Sequence, residues 1–261
     1  MTGGSGSRAA SRAANGGGGG GTGGPGPGAP NEIPVDEGDV RDVGLLVRSH
    51  HPLLFVVEQE AGRVLSLLER VGAALDMPVF TWKAHRGLVR HGGDGHAVYK
   101  TEPIAQCLAH VASANAEVIT YLYDFEGQLD SPEIQARLHE LHDQLSKHRG
   151  ALVISGSIED LPPRLSRFFT PVKLSRVSIE AYYGYVARVV DELRQRIPVR
   201  VQLTSAELTE LLEHLRGLSF DEVRKVITQA LVDNGRLDRD DIEGVLEAKK
   251  RAVERAGVLE Y

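Results

Sequence analysis

The chain has one cysteine, Cys107, among 261 residues. That excludes an internal disulfide framework and any cysteine-built zinc site. Long apolar runs are also missing: the strongest, residues 53–57, is far too short to span a bilayer. No apolar segment follows Arg8 and Arg12, so the start of the chain does not read as a secretory signal. Positive charge is in deficit. With Arg8 and Arg12 set aside, 28 basic residues face 36 acidic ones. Such an acidic body argues against a nucleic-acid partner held through phosphate contacts. The expectation is a soluble, cytoplasmic protein with no membrane partner.

Glycine is abundant but badly distributed. Thirteen of the 29 glycines fall between Gly3 and Gly28, six of them consecutive. This stretch has no apolar period and cannot offset its ordering entropy, so residues 1–32 are expected to be disordered. About 230 residues remain, enough for a sizeable core.

From there the chain alternates. An apolar run at 53–57 reads as a strand buried on both faces. Val64, Leu67, Leu68, Val71 and Leu75 recur at helical spacing, and a second strand follows at 79–82. Gly92, Gly93 and Gly95 mark a hairpin tip or loop. A helix carries Ile104, Leu108 and Val111; a strand at 117–123 ends in Asp124; a helix spans 133–148. Further strands are expected at 151–154 and 171–174, with a short helical turn opened by Pro162 and Pro163 between them. This order predicts a three-layer α/β domain with a mostly parallel sheet. After Pro198 the pattern is all helix. Capping boxes at Thr204/Glu207 and Ser219/Glu222, an Asn234-Gly235 stop and an Asp238 cap delimit a small helical bundle. The expected division is a tail at 1–32, an α/β part at 33–200 and a lid-like bundle at 201–261.

An ATP-hydrolysing sheet of this kind needs a Gly-rich loop ending in Lys-Ser/Thr after its first strand, so that N–H groups and an ammonium cradle the phosphates. Here Val57 is followed by Glu58, Gln59, Glu60, Ala61, Gly62 and Arg63. The turn has no lysine and two carboxylates, which repel anionic phosphates. The stretch 92–101 ends in Lys100-Thr101, but Tyr99 stands where the loop requires glycine, and no strong buried strand precedes it. A later strand must end in acidic residues that hold Mg²⁺ and orient water. Asp124 ends such a strand. Phe125 follows it, and Glu126 comes one place late; adjacent side chains of an extended chain point to opposite sides, so the shift misplaces the carboxylate. Asp124 and Glu126 therefore read as a relic acidic strand end, with Asp124 also able to serve as a turn cap. Arg164 and Arg167 fall where an arginine reaching a neighbouring subunit is expected. No catalytic, cofactor-binding or metal-ligating residue is assigned.

Several segments carry a family likeness. They are residues 45–58, the strand at 78–82, Tyr123-Asp124-Phe125 and residues 158–165. The most specific is Gly217-Leu218-Ser219-Phe220-Asp221-Glu222, running to Asn234-Gly235-Arg236-Leu237, Asp241-Ile242, Lys249-Lys250 and the closing residues 257–261. The chain resembles the N-terminal, degenerate part of the AAA+ ATPases of the plastid and cyanobacterial open-reading-frame type, over roughly residues 39–261. The resemblance implies an AAA-like module of P-loop NTPase topology, a sheet followed by a helical lid, with degenerate nucleotide motifs. It also implies that ATP and Mg²⁺ are handled by a following module absent from this chain. The implied partners are that AAA+ catalytic module or further copies of the chain, with a protein substrate as a further partner. The implied role is assembly, regulation or substrate engagement. An active ATPase with a divergent loop and a free-standing protein-binding module remain as alternatives.

Other signals are weaker. His139 and His142 lie three apart on a helix, yet a metal site needs three or four converging ligands. Ser155-Gly156-Ser157 lacks the flanking glycine of a nucleophile elbow. Tyr182, Tyr183 and Tyr185 cluster at a helix start, as a partner contact or as packing between the two parts.

Overall fold

The computed structural model describes residues 33–114 and 116–258. The glycine-rich segment expected to be disordered lies outside the described residues.

The first part runs α1 (Glu37–Arg48), β1 (Leu53–Val57), α2 (Ala61–Leu75), β2 (Val79–Lys83), β3 (Gly87–Arg90), α3 (Ile104–Ala114), β4 (Ile119–Leu122), α4 (Pro132–Leu145), β5 (Ala151–Gly156) and β6 (Thr170–Lys173). The strands form one sheet in the order β3-β2-β4-β5-β1-β6. Every pairing is parallel except β2 with β3. β1 is an interior strand beside the edge strand β6, and both of its faces are apolar. Leu54 and Val56 pack with α1 and α2; Leu53 and Phe55 pack with the layer that holds α3 and α4. The result is a three-layer α/β/α arrangement. Pro171 is tolerated because β6 is an edge strand, where a missing N–H costs no ladder bond.

Residues 92–95 form a loop, as expected, and a second hairpin that was not expected precedes it. The chain turns at 84–86, and β3 is an added antiparallel strand. The glycine stretch 92–95 lies beyond it, and the chain then returns alongside β3 through a Val89–Ala97 bridge. Thr101 fixes this region. Its hydroxyl accepts from Leu88 N–H at 2.8 Å and donates to the Val98 carbonyl at 2.6 Å, while its own carbonyl accepts from Trp82 Nε1 at 2.7 Å. Thr101 is therefore a buried knot behind β3, with its hydroxyl fully engaged.

The second part comprises α5 (Ile179–Arg194), β7 (Arg200–Val201), α6 (Ser205–Leu215), α7 (Phe220–Asn234), β8 (Arg236–Leu237) and α8 (Asp240–Val258). Both capping boxes form, and Gly235 takes the left-handed conformation after α7. The helical core begins earlier in the chain than residue 201. Tyr182, Tyr185, Val186, Val189 and Val190 of α5 pack with α6 and α7 rather than against the sheet. The apolar face of α5 is matched by theirs, and burial follows that match. Among the described residues, no helix is long and apolar enough to cross a membrane.

Candidate functional site

The first candidate site is set by topology. The carboxyl end of β1 lies between β5 and β6, where the strand order reverses, and an open parallel sheet places its ligand crevice at such a point. A crevice of about 460 Å³ opens there. One wall is the turn 58–60 with the first turn of α2. The other is formed by Tyr182 of α5 and the connection from α6 into α7; Lys249 of α8 also reaches it.

Its charges are arranged around carboxylates. Glu58 pairs with Arg63 at 2.6 Å, and Arg63 also donates to the Ser175 carbonyl. The other oxygen of Glu58 accepts the Glu60 N–H at 3.0 Å. Glu60 occupies the N-cap position of α2 without capping it. Its carboxylate reaches across the crevice, where Asp221 N–H at the start of α7 donates to Oε1 at 3.3 Å. A negative group at that helix start is favoured by the peptide dipoles. Glu60 thus links the two parts of the chain through a carboxyl group supplied by the protein itself.

Burial pushes the Glu60 carboxyl up to about 7; the Phe220 and Asp221 N–H groups oppose that shift, and nearby Glu58 and Asp221 add to it. A raised carboxyl pKa means that the folded state binds the proton more tightly than the unfolded chain. The stability Glu60 contributes is therefore present below the ordinary carboxylate range, is lost as pH rises towards about 7, and is level above that. The expected result is that the urea midpoint of Glu60→Gln, which keeps an acceptor for Asp221 N–H, gains on that of the native chain between pH 5 and pH 8. Parallel midpoint profiles would show that Glu60 does not titrate across this window.

Asp124 lies apart from this crevice. It follows β4 with φ at +47°, exposed, in the left-handed region that Asp and Asn tolerate better than most residues. The backbone of Glu126 begins a 3-10 turn, Glu126–Gln128; its side chain lies outside the described residues. Arg164 and Arg167 line a second pocket together with His139 of α4. Sequence reasoning found the acidic turn and the two arginines. It missed Arg63 as the partner of Glu58, although a five-residue separation at a helix start was the available signal, and it missed His139 as the arginines' neighbour. Among the described residues, no group of three or more His, Cys, Asp or Glu is placed to hold a metal ion.

Known proteins match both parts. Residues 40–174, more than half of the chain, match the N-terminal domain of SpoVK-like AAA ATPases, and residues 183–256 match the second domain of the same family. The chain belongs to the SpoVK-like AAA ATPase family. Within curated proteins it is 21% identical over 225 residues to the uncharacterized AAA domain-containing protein ycf46 of Pyropia yezoensis, covering 85% of this chain and 44% of that protein. The corresponding protein of Trieres chinensis is 22% identical, with 83% and 43% covered. The chain thus spans less than half the length of these relatives. Among solved structures it resembles Caenorhabditis elegans PCH-2, at TM-score 0.57 and 13% identity, over 86% of this chain and 71% of that one. It also resembles domain III of the Thermotoga maritima replication initiation protein DnaA, at TM-score 0.52 and 15% identity, over 83% and 94%. These likenesses establish an AAA+ fold for this family member.

Proposed function

We infer that this chain is a non-catalytic AAA-like module of an AAA+ ATPase, serving assembly, regulation or substrate engagement. ATP binding and hydrolysis belong to the part of such proteins beyond the stretch matched here. One observation carries the reading: the crevice at the end of β1 is lined on its sheet side by the carboxyl groups of Glu58 and Glu60. Glu60 takes up donors at the start of α7, and Arg63 of the adjacent turn is committed to Glu58 and Ser175. A polyphosphate there would meet two acidic side chains, and the turn supplies no lysine to offset them. The Glu60 carboxyl group stands in for a bound ligand and keeps the helical part seated on the sheet without nucleotide. The module then offers a fixed shape for contact with a catalytic module or with other copies of the chain.

Calorimetric titration of the chain with Mg-ATP tests this. No saturable heat is expected at micromolar concentrations. A micromolar dissociation constant would overturn the reading, because the crevice would then accept phosphates in spite of Glu58 and Glu60.

A further inference from the structure

The two parts of the chain meet over a narrow front. Every extensive packing of one helix or strand on another lies within one part or the other. Two ties cross between them. One is Ile33, ahead of α1. Its side chain is buried in the core of the helical part, and its N–H donates to Ser66 Oγ of α2 at 3.2 Å. Gly62 leaves room for it, since a Cβ there would stand 2.7 Å from Ile33 Cδ1. The other tie is Glu60 at the start of α7. The first N–H groups of a helix have no partner within it. Ser219 Oγ takes the Glu222 N–H at 3.2 Å, and Glu60 accepts from those of Phe220 and Asp221. A residue of the sheet part thus completes the cap of a helix in the other part. The surroundings do not suit it as an ion. Glu58 stands on its own turn, Asp221 and Glu222 at the start of α7, and Tyr182 and Tyr185 of α5 lie within its field. Among the cations nearby, Arg63 is committed to Glu58 and Ser175, Arg224 to Glu192 and Arg216 to Glu213; Lys249 of α8 reaches the crevice wall. Burial, aided by the like charges of Glu58 and Asp221, outweighs the two N–H donors and holds the proton on Glu60.

We propose that Glu60 is a proton-operated latch: the crevice stays closed while the carboxyl group carries its proton, and opens as the proton passes to solvent and the carboxylate turns to water. Ser175 is anchored to Arg63 and Asp39, so the swing falls on the exposed residues 176–178 that lead into α5. Ile33 resists it at every pH, because its tie carries no charge. The direction follows from linkage. The state that holds the proton more tightly gains as pH falls. With the latched carboxyl near 7 and the freed one in the ordinary range, the ratio of open to closed chains rises about tenfold or more between pH 5 and pH 8. The shape that the module offers to a partner is then set by pH. The latch rests on the seating role given to Glu60 above, and not on whether the crevice takes nucleotide. Its test contains no nucleotide, so its outcome and that of the Mg-ATP titration are read separately.

Amide hydrogen exchange of the full chain, read by NMR and corrected for the intrinsic effect of pH, tests this. Protection of the Phe220 and Asp221 amides should fall about tenfold or more from pH 5 to pH 8, while Leu231 in the same helix keeps its own. Nitroxides on Ala73→Cys of α2 and Lys225→Cys of α7 give the matching distance by electron spin resonance, and the longer-distance population should grow over the same range. The buried Cys107 thiol is pushed up to about 12, so it stays protonated and unlabelled. Ile33→Ala is the positive control, lengthening the distance already at pH 5. Glu60→Gln should flatten both pH profiles. If that variant melts early, Glu58→Gln replaces it; with one like charge gone, the pH effect should shrink severalfold. Protection that does not change with pH, the same fall in the folded Glu60→Gln or Glu58→Gln chain, or lost protection at an unchanged distance would overturn the latch.

Discussion

Replacing Phe220 by alanine should cost about 3–5 kcal/mol of stability, the range for removing a large aromatic from a packed core. Phe220 is 1% exposed. It is the first residue of α7, its ring stacks on Tyr182 at 5.2 Å, and it meets Tyr185 edge-on at 4.8 Å. It therefore joins α5 to α7 at the rim of the crevice. The Tyr182 hydroxyl continues the link, donating to the Leu218 carbonyl at 3.3 Å. Truncation empties the centre of this aromatic group, and the surrounding helices can collapse only partly. Urea unfolding followed by circular dichroism measures the effect. A loss below about 1 kcal/mol would mean that the ring is not the packing centre described here.

Arg63→Ala is expected to cost about 3 kcal/mol, at the lower end for breaking a buried ion pair. The Arg63 side chain is 10% exposed and that of Glu58 is 20% exposed, so the carboxylate left behind keeps little access to water. The Ser175 carbonyl also loses its donor. Ser175 is held from the other side as well, because Asp39 of α1 accepts from its N–H and from its hydroxyl, the latter at 2.8 Å. Arg63 and Asp39 together fix the segment through which the chain leaves β6 for α5. The double variant Glu58→Gln/Arg63→Met should recover much of the loss, since it removes the stranded charge along with its partner. If the double variant is no more stable than Arg63→Ala, the cost lies in the Ser175 contact and not in the pair.

What could be read from the sequence was local. Thr204/Glu207 and Ser219/Glu222 each close within one helical turn, so the residues that specify the cap also form it. The continuous apolar run of β1 announced a strand covered on both faces. β3 escaped because four residues beginning with glycine leave too short an alternation to register. The allegiance of α5 escaped for another reason. An amphipathic helix declares that it has a buried face, not which core will bury it. The site divides in the same way. The acidic turn was visible as adverse to phosphate, whereas the donor to Glu60 comes from Asp221, 161 residues further along. The contact of His139 with the Phe168 ring was beyond reach because it depends on the turn 161–169 folding over α4.

The strand order also governs how the chain can be made. β1 finds its two partners only in β5 and β6, with Leu53 opposite Leu152 and Leu54 opposite Thr170. At ordinary ribosomal rates, that gap of nearly a hundred residues is on the order of ten seconds of synthesis. Throughout it, Leu-Leu-Phe-Val-Val is an unpaired apolar edge of the kind that adheres to other nascent chains. The bundle faces no such wait, because its helices pack on near neighbours in sequence. Holdase chaperones should therefore engage the emerging chain at β1 and let go once β5 is clear of the exit tunnel.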